Sequence, residues 1–184
     1  MKKIYSLVTG ILCLVTGCSG VSSAVKYKDE TPKMDIRQYL NGNLEAWGLF
    51  EDFKGKIAKR FEAKLVGSWH GDSGTLKEHF TYSDGKTQNR EWKITMQDDN
   101  HFTATAADVI GEAKGEQYGN AAHLQYVLEI DSDGKKIAVS MDDWLYLVNG
   151  QVVINKARMS KFGVQVGELT VSFYKPTEST HKRK

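Results

Sequence analysis

Cysteine, proline and long apolar runs are scarce in this sequence. Of its 184 residues, only Cys13 and Cys18 carry a thiol, and two residues are prolines. A framework of several disulfides is excluded, since two thiols make at most one bridge. The apolar stretch 4–16 has 13 residues, whereas a membrane-spanning helix needs about 20. A multispan membrane protein is therefore excluded as well.

The composition is that of one soluble globular domain. Apolar residues make up 40% of the chain and charged residues 26%, which excludes an intrinsically disordered protein. The length suits one ordinary domain rather than two. Lysine and arginine number 25 against 23 aspartate and glutamate, a net charge of +2. This balance gives no electrostatic case for binding nucleic acid.

The first eighteen residues predict a lipoprotein signal peptide. Lys2 and Lys3 precede the apolar stretch, and the chain turns polar at Ser19, an order typical of a secretory signal. The string LVTGC at 14–18 resembles the bacterial lipobox, in which the peptide is cut before the cysteine and the thiol takes a diacylglycerol. The resemblance implies removal of residues 1–17 and lipidation of Cys18.

The lipobox also implies a location. Acyl chains on Cys18 hold the mature protein to a membrane, because each buried methylene adds about 0.8 kcal/mol. Ser19 resembles the residue that sorts Gram-negative lipoproteins to the outer membrane, so we expect the protein there, facing the periplasm. Loss of the first 17 residues brings the net charge near zero and leaves no free thiol for a disulfide, a nucleophile or a zinc site.

Polar segments flank the predicted domain. Residues 18–34 predict a lipidated flexible linker of small and polar residues. The domain is expected over residues 35–175, followed by a polar, basic tail at 176–184. Asp35 is a predicted helix cap and Asn41-Gly42 a predicted stop, which limits the only helix to one or two turns.

Alternation of apolar and polar residues dominates the rest of the chain. It predicts nine or ten strands joined by short turns such as Asp84-Gly85 and Asn149-Gly150. Regular strands bury one face and need protected edges, and a closed sheet satisfies both needs. The predicted fold is all-β, an up-and-down antiparallel β-barrel of lipocalin-like type; a β-sandwich is the alternative.

The start of the predicted domain resembles that of lipocalins. A short helix ending near Gly42 precedes a strand that contains Trp47, and in lipocalins a tryptophan of the first strand fills the closed end of the barrel. The resemblance implies the same position for Trp47. The lipocalin pattern has glycine two positions earlier, whereas this chain has Glu45.

Four groups of short strings extend over nearly the whole mature chain. They are Asn41-Gly42 with Ala46-Trp47-Gly48, Gly111-Glu112-Ala113 and Gly115 with Gly119-Asn120-Ala121, Asp142-Asp143-Trp144, and Met159-Ser160-Lys161-Phe162-Gly163 with Val166-Gly167-Glu168. Together they resemble a bacterial lipoprotein family known as domain of unknown function 3833. The resemblance implies a small envelope lipoprotein with no assigned reaction. It also implies a link to lipids, because genes of this family often lie near lipid-modifying enzymes such as cyclopropane-fatty-acid synthases.

Charged residues among inward-facing apolar ones are the main candidates for a ligand site. Glu78 and Arg90 each share the parity of the apolar residues on their strands. Because a buried charge needs a partner or water, two interpretations stay open. Either both reach solvent near strand ends, or they form a pair inside the barrel that orients a polar head group. Asp143 and Tyr126 complete this candidate set, together with Arg158, which would neutralise Asp142 or Asp143 across a hairpin.

Three glycines at a spacing of four form a second candidate. Gly111, Gly115 and Gly119 would share one face of a strand. Glycines on a strand mark bends or the close approach of a ligand or backbone. A bend at a barrel corner and a bare patch at the mouth of a pocket are the two interpretations.

No catalytic or metal constellation is visible. The string Gly71-Asp72-Ser73-Gly74 imitates the nucleophile string of trypsin-like proteases but lies where a hairpin turn is needed. The five histidines lack paired metal spacing. Since no nucleophile, base or cofactor motif is found, we expect no cofactor and predict that the protein is not an enzyme.

Two functions of different classes stay open. The first is a binding module whose barrel holds a fatty acid, phospholipid or other amphiphile. The second is a structural or assembly partner of envelope proteins, with a filled barrel and a docking patch outside. A lumen of several hundred Å³ favours the first and a solid core the second. The expected partners are the membrane, through the acyl chains on Cys18, and an amphiphile.

Overall fold

A computed structural model describes residues 23–177 apart from residue 133. The predicted signal peptide, Cys18, Ser19 and most of the predicted tail lie outside the described residues. The described chain forms a closed antiparallel barrel of ten strands. The predicted up-and-down barrel is confirmed, and the sandwich alternative is excluded.

Each strand pairs with its neighbours in sequence, and the first strand also pairs with the last. This last pairing runs from Glu45 opposite Tyr174 to Asp52 opposite Gly167, so the sheet has no free edge. In chain order the elements are a 3₁₀ helix (Ala24–Tyr27), α1 (Ile36–Tyr39), β1 (Gly42–Asp52), β2 (Ile57–His70), β3 (Ser73–Tyr82), β4 (Thr87–Met96), β5 (His101–Thr105), β6 (Val109–Tyr118), β7 (Ala121–Ser132), β8 (Lys135–Leu147), β9 (Val152–Lys161) and β10 (Val164–Tyr174).

The alternation in sequence becomes an inner and an outer face. On β2, Ala63 and Leu65 point inward and are buried, whereas Lys64 and Val66 between and beside them are exposed. Period-two geometry imposes this division on every strand. The apolar inner faces form one continuous core inside the barrel.

Helix α1 closes one end of the barrel. It begins as predicted at Asp35, whose carboxylate accepts a hydrogen bond of 2.9 Å from the backbone N–H of Arg37. Ile36 and Leu40 are buried against the core. The hydroxyl of Tyr39 donates to the backbone carbonyl of Gln151 at 3.0 Å. The turns after β2, β4, β6 and β8 surround this closed end.

The opposite end is called the open end here. It carries the turns after β1, β3, β5, β7 and β9, and neither of the two helices of the described chain lies there. The string Gly71-Asp72-Ser73-Gly74 belongs to the closed end, where Gly71 and Asp72 form the turn between β2 and β3. Gly71 has a φ of +58°, which glycine adopts without strain. The interpretation of this string as a turn is confirmed.

The segment before α1 packs on the outside of the barrel. The backbone N–H of Ala24 donates to Oε1 of Glu116 at 2.6 Å, and Ala24 is fully buried. Tyr27 contacts the rings of Trp144 and Tyr146 edge to face. Residues 23–34, part of the predicted linker 18–34, are therefore held on the barrel. Their composition is polar, but they bind to side chains of β6 and β8.

Two tryptophans lie on the outer face of the barrel. Trp47 is 49% exposed, so its implied role at the closed end is wrong. Ala46 and Gly48 face inward on β1 instead, and an added Cβ at Gly48 would overlap the ring of Phe61. Trp144 also lies on the outer face, where it is buried beneath Tyr27.

None of the helices in the described part of the chain is long and apolar enough to cross a membrane.

The two faces of β2 predict opposite responses to truncation. Leu65→Ala removes a side chain that is 1% exposed, and we expect a loss of about 2–5 kcal/mol in the free energy of unfolding. Val66→Ala, one residue along on the outer face, is the matched control and should cost less than about 0.5 kcal/mol. Urea denaturation measures both. Equal losses would contradict the assigned faces.

Candidate functional site

A cavity lies inside the barrel next to α1. Its volume is about 100 Å³, and its wall is mostly apolar. Three polar side chains interrupt this wall, those of Glu78, Asp143 and Asn155. Together with Arg90 and Tyr126, which contact them, they are called the lumenal belt. The apolar wall is formed mainly by Ile36, Leu40, Leu76, Trp92, Phe102 and Phe173.

Glu78 and Arg90 face each other inside the barrel. They are directly opposite in the register of β3 and β4, and Nη1 of Arg90 lies 3.8 Å from Oε2 of Glu78. Glu78 is 8% exposed, and its Oε2 accepts no hydrogen bond from the described residues. The structure thus brings the two predicted charges together in the lumen, although Arg90 does not satisfy the carboxylate.

Arg90 forms its closest contacts with a third charge. Its Nη2 and Nε donate to Oδ2 of Asp108 at 2.7 and 3.0 Å. Asp108 lies between β5 and β6, towards the open end. Because a two-point contact of this kind is stronger than a single distant one, Arg90 is held by Asp108, and Glu78 keeps a free acceptor.

Asp143 is held by two neutral donors. Its Oδ2 accepts from the hydroxyl of Tyr126 at 3.2 Å, and its Oδ1 accepts from Nδ2 of Asn155. Asn155 also donates to the backbone carbonyl of Trp144 at 3.0 Å. Of the adjacent aspartates, Asp143 points inward and Asp142 outward, as alternation requires.

Burial shifts both lumenal carboxyls towards neutrality. It raises the pKa of Glu78 to about 7, even though Arg90 and the Trp92 indole act in the opposite direction. Burial also raises the pKa of Asp143 to about 6, against the effect of its hydrogen bonds from Asn155 and Tyr126. Both carboxyls of the belt therefore titrate close to neutral pH.

The three glycines have separate local roles. Gly111 has a φ of +76° within an irregularity of the β6–β7 pairing. At Gly115 an added Cβ would overlap the ring of Phe102, and at Gly119 it would overlap the backbone carbonyl of Tyr27. None of the three lines the cavity. The irregularity, the ring and the passing backbone account for them without a ligand.

Arg158 lies outside the lumen. It is exposed on the outer face of β9, directly opposite Asp142 rather than Asp143. It lines a surface pocket together with Lys26, Lys156 and Glu168. The structure therefore separates Arg158 from the other predicted ligand residues, because it shares parity with the outward-facing Lys156.

Sequence reasoning missed two members of the site. Asn155 lies between the inward-facing Val153 and Ala157, both fully buried, so the parity argument that selected Glu78 would have found it too. Asp108 had no such signal, since it reaches Arg90 from a turn. Its contact depends on the curvature of the barrel and not on any pattern along the strand.

A histidine is buried on the outer face of the barrel. His123 stacks on Trp144 with 4.0 Å between ring centroids, and its Nε2 lies 3.2 Å from Oδ1 of Asp142. His70, His79 and His101 are exposed, and His181 lies outside the described residues. No group of three or more metal-ligating side chains is found between residues 23 and 177, residue 133 aside.

Two solved structures share this barrel. The S-type phycobiliprotein lyase CPES from Guillardia theta matches with a TM-score of 0.58 and 4% identity, over 78% of this chain and 94% of that one. Rv2717c from M. tuberculosis matches with a TM-score of 0.57 and 12% identity, over 81% and 100%. At these identities the likeness shows the fold alone. No curated protein matches the sequence significantly.

The fold and the lumenal belt define a lipocalin-like β-barrel with polar groups inside an apolar cavity. The chain belongs to the family described as Protein of unknown function (DUF3833), whose model matches residues 12–175. The family resemblance found in the sequence is thereby confirmed.

The prediction that the chain is not an enzyme is wrong. It rested on the lack of a nucleophile, a base or a metal constellation, yet a solved structure that shares this barrel is a lyase. A fold that occurs in a lyase gives no ground for excluding catalysis.

The raised pKa of Glu78 predicts that stability falls as the pH rises. The carboxyl binds its proton more tightly in the folded state, so the stabilisation is complete below the ordinary pKa of 4.5 and is lost as the pH rises to about 7. The difference amounts to about 3 kcal/mol over that window. Glu78→Gln should remove most of this pH dependence in denaturation at pH 5 and pH 8.

Glu91→Gln is the matched control, because Glu91 is the exposed neighbour of Arg90 on the outer face. It should keep the pH dependence of the parent chain. Retention of the full dependence in Glu78→Gln would show that this carboxyl is not buried in charged form at high pH.

Proposed function

We propose that this protein is a lipid-anchored barrel of the bacterial envelope that binds a small amphiphile in its lumen. The observation that carries the proposal is the unsatisfied Oε2 of Glu78 on the wall of an otherwise apolar cavity. A buried acceptor without a donor costs about 1–3 kcal/mol. A ligand that supplies the donor recovers this energy, whereas an apolar filler does not.

The charges of the belt favour one class of head group. Glu78 and Asp143 both face the cavity, and the positive charge of Arg90 is taken up by Asp108. A carboxylate or phosphate head would meet two acidic side chains. An ammonium or a hydroxyl donates to Glu78, while its hydrocarbon part contacts the apolar wall. An amine or alcohol head thus fits better than the fatty acid first considered.

The cavity volume limits the size of the ligand. About 100 Å³ is less than the roughly 300 Å³ or more that is usual for ligand pockets. It is close to the engineered apolar cavity of about 150 Å³ that binds benzene. The volume suits a short chain and its head group, and a whole phospholipid exceeds it.

The small cavity also supports a second candidate function. A barrel that is nearly filled suits a structural or assembly partner of envelope proteins, whose contacts lie outside the lumen. Val139, Met141 and Leu128 are buried towards the open end and fill that part of the core. Ligand binding to the lumen separates the two candidates.

We further propose the anchor and the location. The lipobox string before Cys18 supports lipidation, and Ser19 supports the outer membrane, with the barrel in the periplasm. The contacts of residues 23–34 with the barrel leave a short connection, 18–22, between the acylated cysteine and the folded domain.

Binding of hexylamine tests the role of Glu78. Calorimetric titration of the parent protein at pH 8 should show binding, with hexanoate at least about tenfold weaker because its charge is repelled. Glu78→Gln should weaken the binding of hexylamine by a similar factor, whereas Glu91→Gln should leave it unchanged. Equal affinity for the amine and the acid would contradict the role of Glu78, and no binding of either would favour the structural candidate.

The anchor is tested by replacing each cysteine in turn. Cys18→Ser should prevent cleavage and acylation, so that intact mass spectrometry finds residues 1–17 retained and no added acyl mass. Cys13→Ser is the matched control, because Cys13 leaves with the signal peptide, and it should give the mature acylated mass. An unchanged mass in Cys18→Ser would contradict the lipobox assignment.

A further inference from the structure

Large apolar side chains are exposed at one corner of the open end. Phe162 is 95% exposed, Phe53 70% and Val164 67%, the three highest values among large apolar residues of the described chain. Phe53 lies in the turn between β1 and β2, and the other two lie at the turn between β9 and β10. Because β1 pairs with β10, the two hairpins are neighbours. They are called the rim hairpins.

Phe162 occupies a backbone position that suits it poorly. Phe162 and Gly163 form a two-residue turn, with φ values of +51° and +78°. Such a turn favours Asn-Gly, and positive φ in a bulky residue is an outlier. The strained backbone at Phe162 and the exposure of its ring to water each lower the stability of the fold. Strain of this kind, when observed, points to a function for the side chain.

The rim hairpins are also basic. Residues 53–60 contain Lys54, Lys56, Lys59 and Arg60 with no acidic residue, and all of them are exposed. Lys161 precedes the second turn, and its Nζ lies 5.5 Å from the ring of Phe162. Each exposed ring thus has a lysine beside it, since Nζ of Lys54 is 5.4 Å from the ring of Phe53.

We propose that the rim hairpins dock on an anionic lipid bilayer, with Phe53 and Phe162 inserted at the level of the head groups. Aromatic and apolar side chains next to lysines are the composition of surfaces that lie in the membrane interface. Lysine near an anionic surface contributes about 1 kcal/mol. An anionic bilayer satisfies both the rings and the charges, which is why it is favoured over a protein partner.

The described start of the chain agrees with this orientation. The inference rests here on the proposed anchor at Cys18, which precedes Ser23 by five residues and hence by at most about 17 Å. Ser23 contacts Glu116, and the later residue Tyr27 lies against Gly119, so the segment from Ser23 to Tyr27 runs towards the closed end. From Glu116 to Val109 at the open end, β6 measures about 23 Å, and the tilt of about 35–45° that barrel strands have reduces its rise along the barrel axis to about 16–19 Å, which the tether matches.

Ser23, where the described chain begins, and the rim hairpins lie on opposite sides of the barrel. In the closed order of strands, β6 is five positions from β1 in either direction. An anchor beside β6 and insertion of the rim hairpins would together hold the open end against the bilayer. An amphiphile then enters the barrel from the lipid without crossing water.

A fluorescent label at the rim tests the inference on the acylated full chain. Val164→Cys carries an environment-sensitive NBD label next to Phe162, and Val148→Cys, an exposed valine at the closed end, is the matched control. In vesicles with 30% phosphatidylglycerol, we expect a blue shift and quenching by brominated lipid at position 164 and neither at position 148. Replacing Lys54 and Lys56 with glutamine should lower the docked-to-undocked ratio about fivefold per lysine.

Phe162→Asn in the Val164→Cys background separates docking from folding. Asparagine suits the turn, so the melting temperature should stay equal or rise while the blue shift is lost. Water-like emission at position 164 in vesicles, or equal shifts at both positions, overturns docking, as does capture of a protein partner with no shift on lipid. The parent chain has no added cysteine, so it reacts with the label only if Cys18 is unmodified. Labelling of the parent chain therefore reveals a failed anchor independently of docking.

Discussion

The pairing of β1 with β10 is the constraint on which the rest of the structure depends. Eight residue pairs join the first strand to the last, and they turn a sheet with two edges into a closed barrel. Closure gives every strand one dry face, which explains why the apolar parity is kept from β2 to β10. It also creates a lumen, in which a polar side chain can be withdrawn from water without a helix layer to cover it.

The lumenal belt is the feature that a purely structural barrel does not need. Glu78 sits at the wall of the cavity with an unsatisfied oxygen, and Arg90 is drawn away from it by Asp108. Asp143, in contrast, is satisfied by Tyr126 and Asn155. The asymmetry leaves one acceptor free for a ligand. The closed end supplies an apolar surface, so the cavity offers an amphiphile both a polar and an apolar contact. The exposed rings at the open end fit a ligand that enters from a bilayer.

The sequence predicts the architecture well because alternation is a local pattern with one geometric meaning. The same reasoning selected Glu78, Arg90 and Asp143 as candidates, but it left open whether Glu78 and Arg90 meet inside the barrel or reach solvent near strand ends. It could not place Asp108, whose contact is made across a turn, or the segment 23–34, whose partners lie on distant strands. The predicted position of Trp47 was wrong for a different reason. It was taken from the resemblance to lipocalins, although Ala46 and Gly48 beside it are the residues that face inward on β1. Arg158 likewise alternates with the inward-facing residues of β9 and therefore faces outward.

The proposed lumenal site depends on the burial of the Glu78 carboxyl at the wall of the cavity. The most direct test is a titration of the Glu78 side-chain carboxyl by carbon-detected NMR, with Glu78→Gln to assign the signal. A midpoint near pH 7 is expected, because burial raises the pKa of Glu78 to about 7. A midpoint at the ordinary value of 4.5 would mean that water surrounds this carboxyl, and the lumenal site would not exist.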